Sequence, residues 1–201
     1  MHTLPEKKVI AITGSMGSGK SQVSKYIANF YPVIDCDRIN ADLIKKDHEG
    51  YRKLVQFDWI VLDKNYEIDK TKMASSMFSD KTKKKQVEQI LHPLIFEQID
   101  KWKQEQQSSL VFVEVPILFE IQAQSKFDEI WCVYCDEQVA LERLVKYRHF
   151  TLEQAKQRLQ HQFSVEYKKQ NSDVCIENNG GLEQLEKQID ELLEKRSVNG
   201  K

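Results

Sequence analysis

No apolar run in this 201-residue chain approaches the roughly 20 residues needed to span a bilayer. The opening stretch Met1-His2-Thr3-Leu4-Pro5-Glu6-Lys7-Lys8 carries no signal-peptide core. A cytoplasmic protein without a membrane partner is therefore expected. Net charge is also nearly absent: 30 Lys and Arg stand against 31 Asp and Glu, a formal -1. That excludes a global electrostatic footprint for nucleic acid, so any attraction to phosphate must be local. Cysteine is scarce. Cys132 and Cys135 form one C-x-x-C, with Cys36 and Cys175 elsewhere, and no second pair exists to complete a zinc site. The pair lies in the apolar run Ile130-Trp131-Cys132-Val133-Tyr134, which reads as a strand rather than the helix start of a redox motif, so buried structural thiols are expected. No internal repeat, low-complexity segment or interdomain linker is visible. With 40% hydrophobic residues the chain has enough for one core, and its monomeric length suits a single domain with a small insertion.

What is present begins at Val9-Ile10-Ala11-Ile12-Thr13, an apolar run that enters Gly14-Ser15-Met16-Gly17-Ser18-Gly19-Lys20-Ser21. This fits G-x-x-x-x-G-K-[ST], a phosphate-binding loop, with a strand before it and a helical pattern after it. The glycines Gly14, Gly17 and Gly19 allow backbone angles closed to other residues. Successive N–H groups of the loop, Ser18 among them, then form a nest for phosphate oxygens at the positive end of the next helix. Lys20 supplies a charge for the β- and γ-phosphates, and Ser21 a hydroxyl for Mg²⁺.

Further along, Ser21 to Phe30 reads as a helix with Val23, Ile27 and Phe30 on one face. Val33-Ile34 starts a second strand ending in Asp35-Cys36-Asp37. Strand alternation would point both acids the same way, at the carboxyl edge where parallel α/β sheets bind ligands. Asp37 is then either a site acid or the N-cap of a helix beginning near Arg38, and Asp35 either its partner or a solvated loop acid. Residues 40–103 read mainly as helices. A turn falls at Asp63-Lys64-Asn65, Asp80 caps a helix through Leu91, and a separate helix starts at His92-Pro93. The run Lys81 to Lys85 reads as a solvated face. Leu110 to Val115 and Glu129 to Tyr134 are strands, and Asp136 caps the helix carrying Arg143 and Arg148. Thr151 and Gln154 form a capping box, Val174-Cys175-Ile176 is a fifth strand, and Leu182 to Lys195 is an amphipathic helix with Leu182, Leu185, Ile189, Leu192 and Leu193 inward. Ser197 to Lys201 are expected to fray. Strands alternating with helices specify an α/β fold with a parallel sheet between helices.

No Asn-Lys-x-Asp element is present, against a guanine-specific GTPase. The nearest approach to a motor's acidic strand end is Glu114-Val115-Pro116, and the compact size favours a small-molecule kinase. Arginines such as Arg143 and Arg148 suit the charge that develops in phosphoryl transfer. Five residues apart on one helix they would point about 140° apart. The segment Tyr147 to Phe150 before Thr151 therefore suggests that the helix ends between them.

Taken together the segments resemble the dephospho-CoA kinase family. The likeness runs through the loop, Val33 to Asp37, Phe78-Ser79-Asp80, Leu91-His92-Pro93-Leu94-Ile95, Val115-Pro116-Ile117-Leu118-Phe119-Glu120, Phe127 to Ile130, Leu141-Glu142-Arg143-Leu144 and Asp173 to Gly180. The resemblance implies a P-loop kinase fold with a five-stranded parallel sheet, a helical CoA-side subdomain over 40–103 and a lid over about 144–170. It implies transfer of phosphate from ATP, with Mg²⁺, to the ribose 3′-hydroxyl of dephospho-CoA. By motif position Asp37 would accept or orient the hydroxyl proton, Lys20 and Arg143 would act on the transferring group, and Gly14, Gly17, Ser18, Gly19, Lys20, Ser21, Gln22 and Arg148 would bind ATP. Another small-molecule or nucleoside monophosphate kinase is the alternative, and a non-enzymatic nucleotide switch a further one. Ser15, Gln22, Ala41 and Asp58 depart from the family pattern. Ser15 and Gln22 are expected to be tolerated because the glycines and Lys20 remain, whereas Ala41 bears on substrate affinity.

Overall fold

The computed structural model describes residues 7–198, so most of the opening stretch and the last three residues lie outside it. In chain order come β1 (Lys8–Gly14), α1 (Lys20–Ile27), β2 (Val33–Asp35), α2 (Cys36–Leu43), α3 (Glu49–Leu54), α4 (Lys70–Ser79) and α5 (Lys81–Glu105). Then follow β3 (Leu110–Glu114), β4 (Glu129–Tyr134), α6 (Glu137–Arg148), α7 (Leu152–Gln160), α8 (Val165–Gln170), β5 (Val174–Glu177) and α9 (Leu182–Val198). They form two compact units, one of residues up to 34 together with those from 107 onward, the other of residues 35–106. Among the described residues no helix is long and apolar enough to cross a membrane.

The first unit is built on a parallel sheet of order β2-β3-β1-β4-β5. β1 lies between β3 and β4, with Ile12 opposite both Glu114 and Trp131. Because the chain leaves β1 toward one edge and β3 toward the other, the turn after β1 sits where the connections diverge, the usual crevice of doubly wound sheets. Strands β1, β3 and β4 are nearly continuous apolar runs because both faces are covered. On one face Ile10, Ile12, Phe112, Trp131 and Val133 pack with Val23 and Ile27 of α1 and Leu185, Ile189 and Leu193 of α9. The rings of Phe112 and Trp131 meet edge to face at 5.3 Å. Leu182, expected inward, is 55% exposed, because the helix starts one turn before its packed stripe. α9 continues through Val198, past the expected fraying point, and residues 199–201 lie outside the described residues.

Glu129 is buried at the start of β4 and carries three partners: the Lys8 ammonium at 2.7 Å, the Trp131 indole N–H at 2.7 Å and the Arg196 guanidinium, which also stacks over the Trp131 ring. Burial pushes its carboxyl pKa up, but the bonds from Arg196, Lys8 and Trp131 outweigh this and hold it below 4.5.

In the second unit, α2, α3 and α4 pack on the long α5. Leu43, Leu54, Met73, Val87, Leu91, Leu94, Ile95 and Ile99 are buried there. Asp80 caps α5, accepting from the N–H groups of Thr82 and Lys83. The expected break at His92-Pro93 does not occur: Pro93 lies inside one 25-residue helix. The proline removes one backbone bond, but buried Leu91, Leu94 and Ile95 around it hold the helix by packing. His92 is half-buried and burial lowers its pKa, in keeping with a structural role. The turn at Asp63 is formed, its carboxylate accepting from the N–H groups of Asn65 and Glu67. Asp58 is exposed and its φ is not positive, so no glycine is required there.

Glu129→Gln is expected to lower stability by about 1.5–3 kcal/mol at neutral pH, the scale of hydrogen bonds to a charged group. Because the folded pKa lies below 4.5, the wild-type advantage is complete above that pH and is lost as pH falls through the folded value. Thermal melts of both proteins from pH 7 to pH 3 check this; a gap that widens on acidification contradicts it.

Candidate active site

The turn between β1 and α1 is held open by three positive φ angles, 147° at Gly14, 81° at Gly17 and 93° at Gly19. At Gly17 a Cβ would stand 2.8 Å from the Ala140 carbonyl oxygen of α6. At Gly19 it would stand 2.1 Å from the Asn178 amide nitrogen. Both positions therefore exclude a side chain by space as well as by conformation. Ser15 has no positive φ and is buried, so the departure from glycine there is accommodated.

Asn178 follows β5 and is buried. Its Nδ2 donates to the Ser18 carbonyl at 2.8 Å and approaches Gln22 Oε1 at 3.5 Å. In a trans peptide the C=O and the next N–H point in opposite directions. Drawing the Ser18 carbonyl toward Asn178 thus turns the Gly19 N–H the other way. Lys20 is buried, and its Nζ donates to the carbonyls of Gly14 and Ser15, each at 3.0 Å. Ser21 lies in the first turn of α1, and its hydroxyl donates to Oε1 of Glu114 at 3.1 Å. Glu114 ends β3 beside Ile12 and is buried.

On the other flank, the Cys135 thiol contacts the Gly17 carbonyl oxygen at 3.7 Å, and the Arg143 guanidinium lies against the same thiol. Burial raises the Cys135 pKa, with Arg143 opposing, and burial pushes Cys132 up to about 11. Cys132 and Cys135 are buried free thiols, kept protonated and unreactive, and among the described residues no group of His, Cys, Asp and Glu could hold a metal by itself. Arg143 Nη1 and Ser18 Oγ are buried without a hydrogen-bond partner, two donors beside the loop that an anion would satisfy.

The structure brings Gly14 to Gln22, Arg143 and Asn178 together. Arg143 and Arg148 share one continuous helix, so the expected break between them is not found. α6 ends one residue later, at His149 (φ 57°), where the Phe150 N–H turns back to the Leu144 carbonyl. Arg143 is half-buried and Arg148 exposed, as their spacing on one helix requires. Asp136 stands at the N-cap position without a side-chain cap bond; its N–H instead donates to Asn179. Asp37 belongs to the other unit and is not in a strand. Asp35 is the N-cap of α2, accepting from the Asp37 N–H, and Asp37 is a first-turn residue. Two participants escaped the sequence reading. Glu114 was seen only as an imperfect motor element, and Asn178 only as part of a resemblance. Their signals are tertiary, since both come from other strand ends.

A family model described as dephospho-CoA kinase matches residues 8–184. A dephospho-CoA kinase of Staphylococcus aureus is 32% identical over 191 residues, covering 93% of this chain and 92% of the relative. A solved structure from Thermus thermophilus has a TM-score of 0.83 at 27% identity, covering 94% of this chain and 98% of its own. A dephospho-CoA kinase structure from Campylobacter jejuni shares the fold, with a TM-score of 0.70 at 23% identity and coverage of 97% and 100%.

If Asn178 orients the Gly19 peptide, Asn178→Leu should raise the KM for ATP by about tenfold, a loss of roughly one charge-assisted hydrogen bond. The KM for the second substrate should stay within about twofold, since charge-assisted bonds act locally. Steady-state kinetics with each substrate varied in turn checks this; equal losses for both contradict it.

Proposed function

The chain belongs to the dephospho-CoA kinase family, and we propose that its loop 14–21 holds ATP for phosphoryl transfer to the ribose 3′-hydroxyl of dephospho-CoA. The observation that carries the nucleotide side is the arrangement around the loop: three glycines at positive φ, Lys20 on the loop carbonyls, and unpartnered donors on Arg143 and Ser18.

In this reading the N–H groups of the loop and Lys20 receive the β- and γ-phosphates of ATP. Gln22 supports them from α1 through Asn178. Arg143, held beside the loop, meets charge that develops on the transferring group. Asp37 orients or accepts the acceptor proton, residues 40–103 form the CoA-side part, and residues 144–170 act as a lid carrying Arg148. The Ser21 hydroxyl and Glu114 carboxylate form an all-oxygen pair of the kind Mg²⁺ prefers when phosphates and waters complete its shell. Mg²⁺ bound there neutralises charge on the phosphate oxygens. A cytoplasmic protein, monomeric by default, that contacts neither membrane nor nucleic acid completes the proposal.

The test is ATP consumption with dephospho-CoA, nucleoside monophosphates and shikimate as acceptors, for wild type and Asp37→Asn. Dephospho-CoA alone should support turnover. Asp37→Asn should lower it by about 10²–10⁴-fold, as for loss of a general base. The α2 cap is Asp35, so this substitution leaves the cap in place. Turnover with another acceptor only, or a fully active Asp37→Asn, overturns the corresponding part.

A further inference from the structure

The connection between α7 and α8 reaches the phosphate loop through one side chain. Gln162 Oε1 accepts the Met16 N–H at 2.9 Å. The position of Gln162 is set from the turn after β3. Glu120 Oε1 accepts the neighbouring Phe163 N–H at 3.1 Å and lies 2.9 Å from the fully buried Lys168 ammonium on α8. The Phe163 and Tyr167 rings stack at 4.5 Å, and Tyr167 meets Phe119 edge to face at 5.9 Å.

The peptide that Gln162 touches is also gripped from its other side. The Ser15 carbonyl accepts from Lys20 Nζ at 3.0 Å and from the Ser18 N–H at 3.2 Å. Across a planar trans peptide the Met16 N–H must point away from that carbonyl. It therefore points away from Lys20 and out of the turn that Ser15 and Ser18 close. Gln162 is not competing for an inward-facing donor. It holds the outer end of a peptide whose inner end holds Lys20.

We infer that Gln162 is a positioning residue of the nucleotide site, acting on Lys20 through the Ser15–Met16 peptide. The inference rests on loop 14–21 being the nucleotide site. Without Gln162 the Met16 N–H loses its acceptor, the peptide is held from its carbonyl side alone, and the Ser15 carbonyl fixes the ammonium less firmly. Glu120 and Lys168 serve the same end one step further out, by fixing where Gln162 stands. The loop and the α7–α8 connection thus form one unit in which a side chain far along the chain sets the direction of the loop's catalytic charge.

The test is a double-mutant cycle read by direct binding of a non-hydrolysable ATP analogue. Gln162→Met keeps length and removes the acceptor. In the otherwise wild-type protein it should weaken binding about threefold to tenfold, the range for residues coupled in one network. In the Lys20→Ala background the same change should shift affinity by less than about 1.5-fold, because its target is gone. Equal weakening in both backgrounds, or none in the first, overturns the inference. Failure of the wild-type protein to bind the analogue would instead sink the nucleotide reading itself. Melting temperatures within about 2 °C of each parent confirm that the change is not one of global stability, since a globally destabilising change moves a domain of this size by more than that.

Discussion

A peptide plane aims its N–H opposite to the preceding C=O, and the loop between β1 and α1 is arranged around that constraint. To present N–H groups to one point, the chain must send several carbonyls elsewhere and satisfy each of them. Asn178 takes the Ser18 carbonyl, and Lys20 takes those of Gly14 and Ser15. Positive φ at Gly14, Gly17 and Gly19 makes the reversals possible. The satisfying groups come from the end of β5 and from α1, so the parallel sheet is what brings them together. A hydrogen bond to a charged group contributes about 1.5–3 kcal/mol, so in the proposed reading several preset donors would hold a polyphosphate without any large net charge on the protein.

The charges that matter are correspondingly few and wholly or partly buried. Lys20 is covered, Arg143 is lodged beside the Cys135 thiol, and Glu114 faces the Ser21 hydroxyl. A net charge of -1 gives the whole chain no pull on phosphate, so in the proposed reading affinity would come from direction rather than from field. Outside the site the same device recurs structurally: Glu129 is buried because Lys8, Trp131 and Arg196 all answer it.

Much of the fold was legible because its signals are local. The apolar runs of β1, β3 and β4, the glycine loop and the Thr151 capping box appear where the sequence places them. Expectations failed where tertiary packing overrides a local preference or a shift of one or two residues changes the role. His92-Pro93 reads locally as a helix start, but buried neighbours carry α5 through it. The cap of α2 moved from Asp37 to Asp35, two residues earlier, because the helix begins directly at the strand end. The break after α6 fell beyond Arg148, at a histidine able to adopt a left-handed angle. Glu114, Asn178 and Gln162 lie 93, 160 and 146 residues from the loop groups they touch, and no spacing rule reaches that far.

The central claim is that loop 14–21 is a preset nest whose N–H groups receive phosphate. Amide NMR of the protein titrated with the non-hydrolysable ATP analogue and Mg²⁺ tests it most directly. The account predicts downfield movement of the Gly17, Gly19, Lys20 and Ser21 amide protons as phosphate oxygens become their acceptors, with the Met16 amide staying bound to Gln162. Unchanged Gly19 and Lys20 amides at saturating analogue would contradict it.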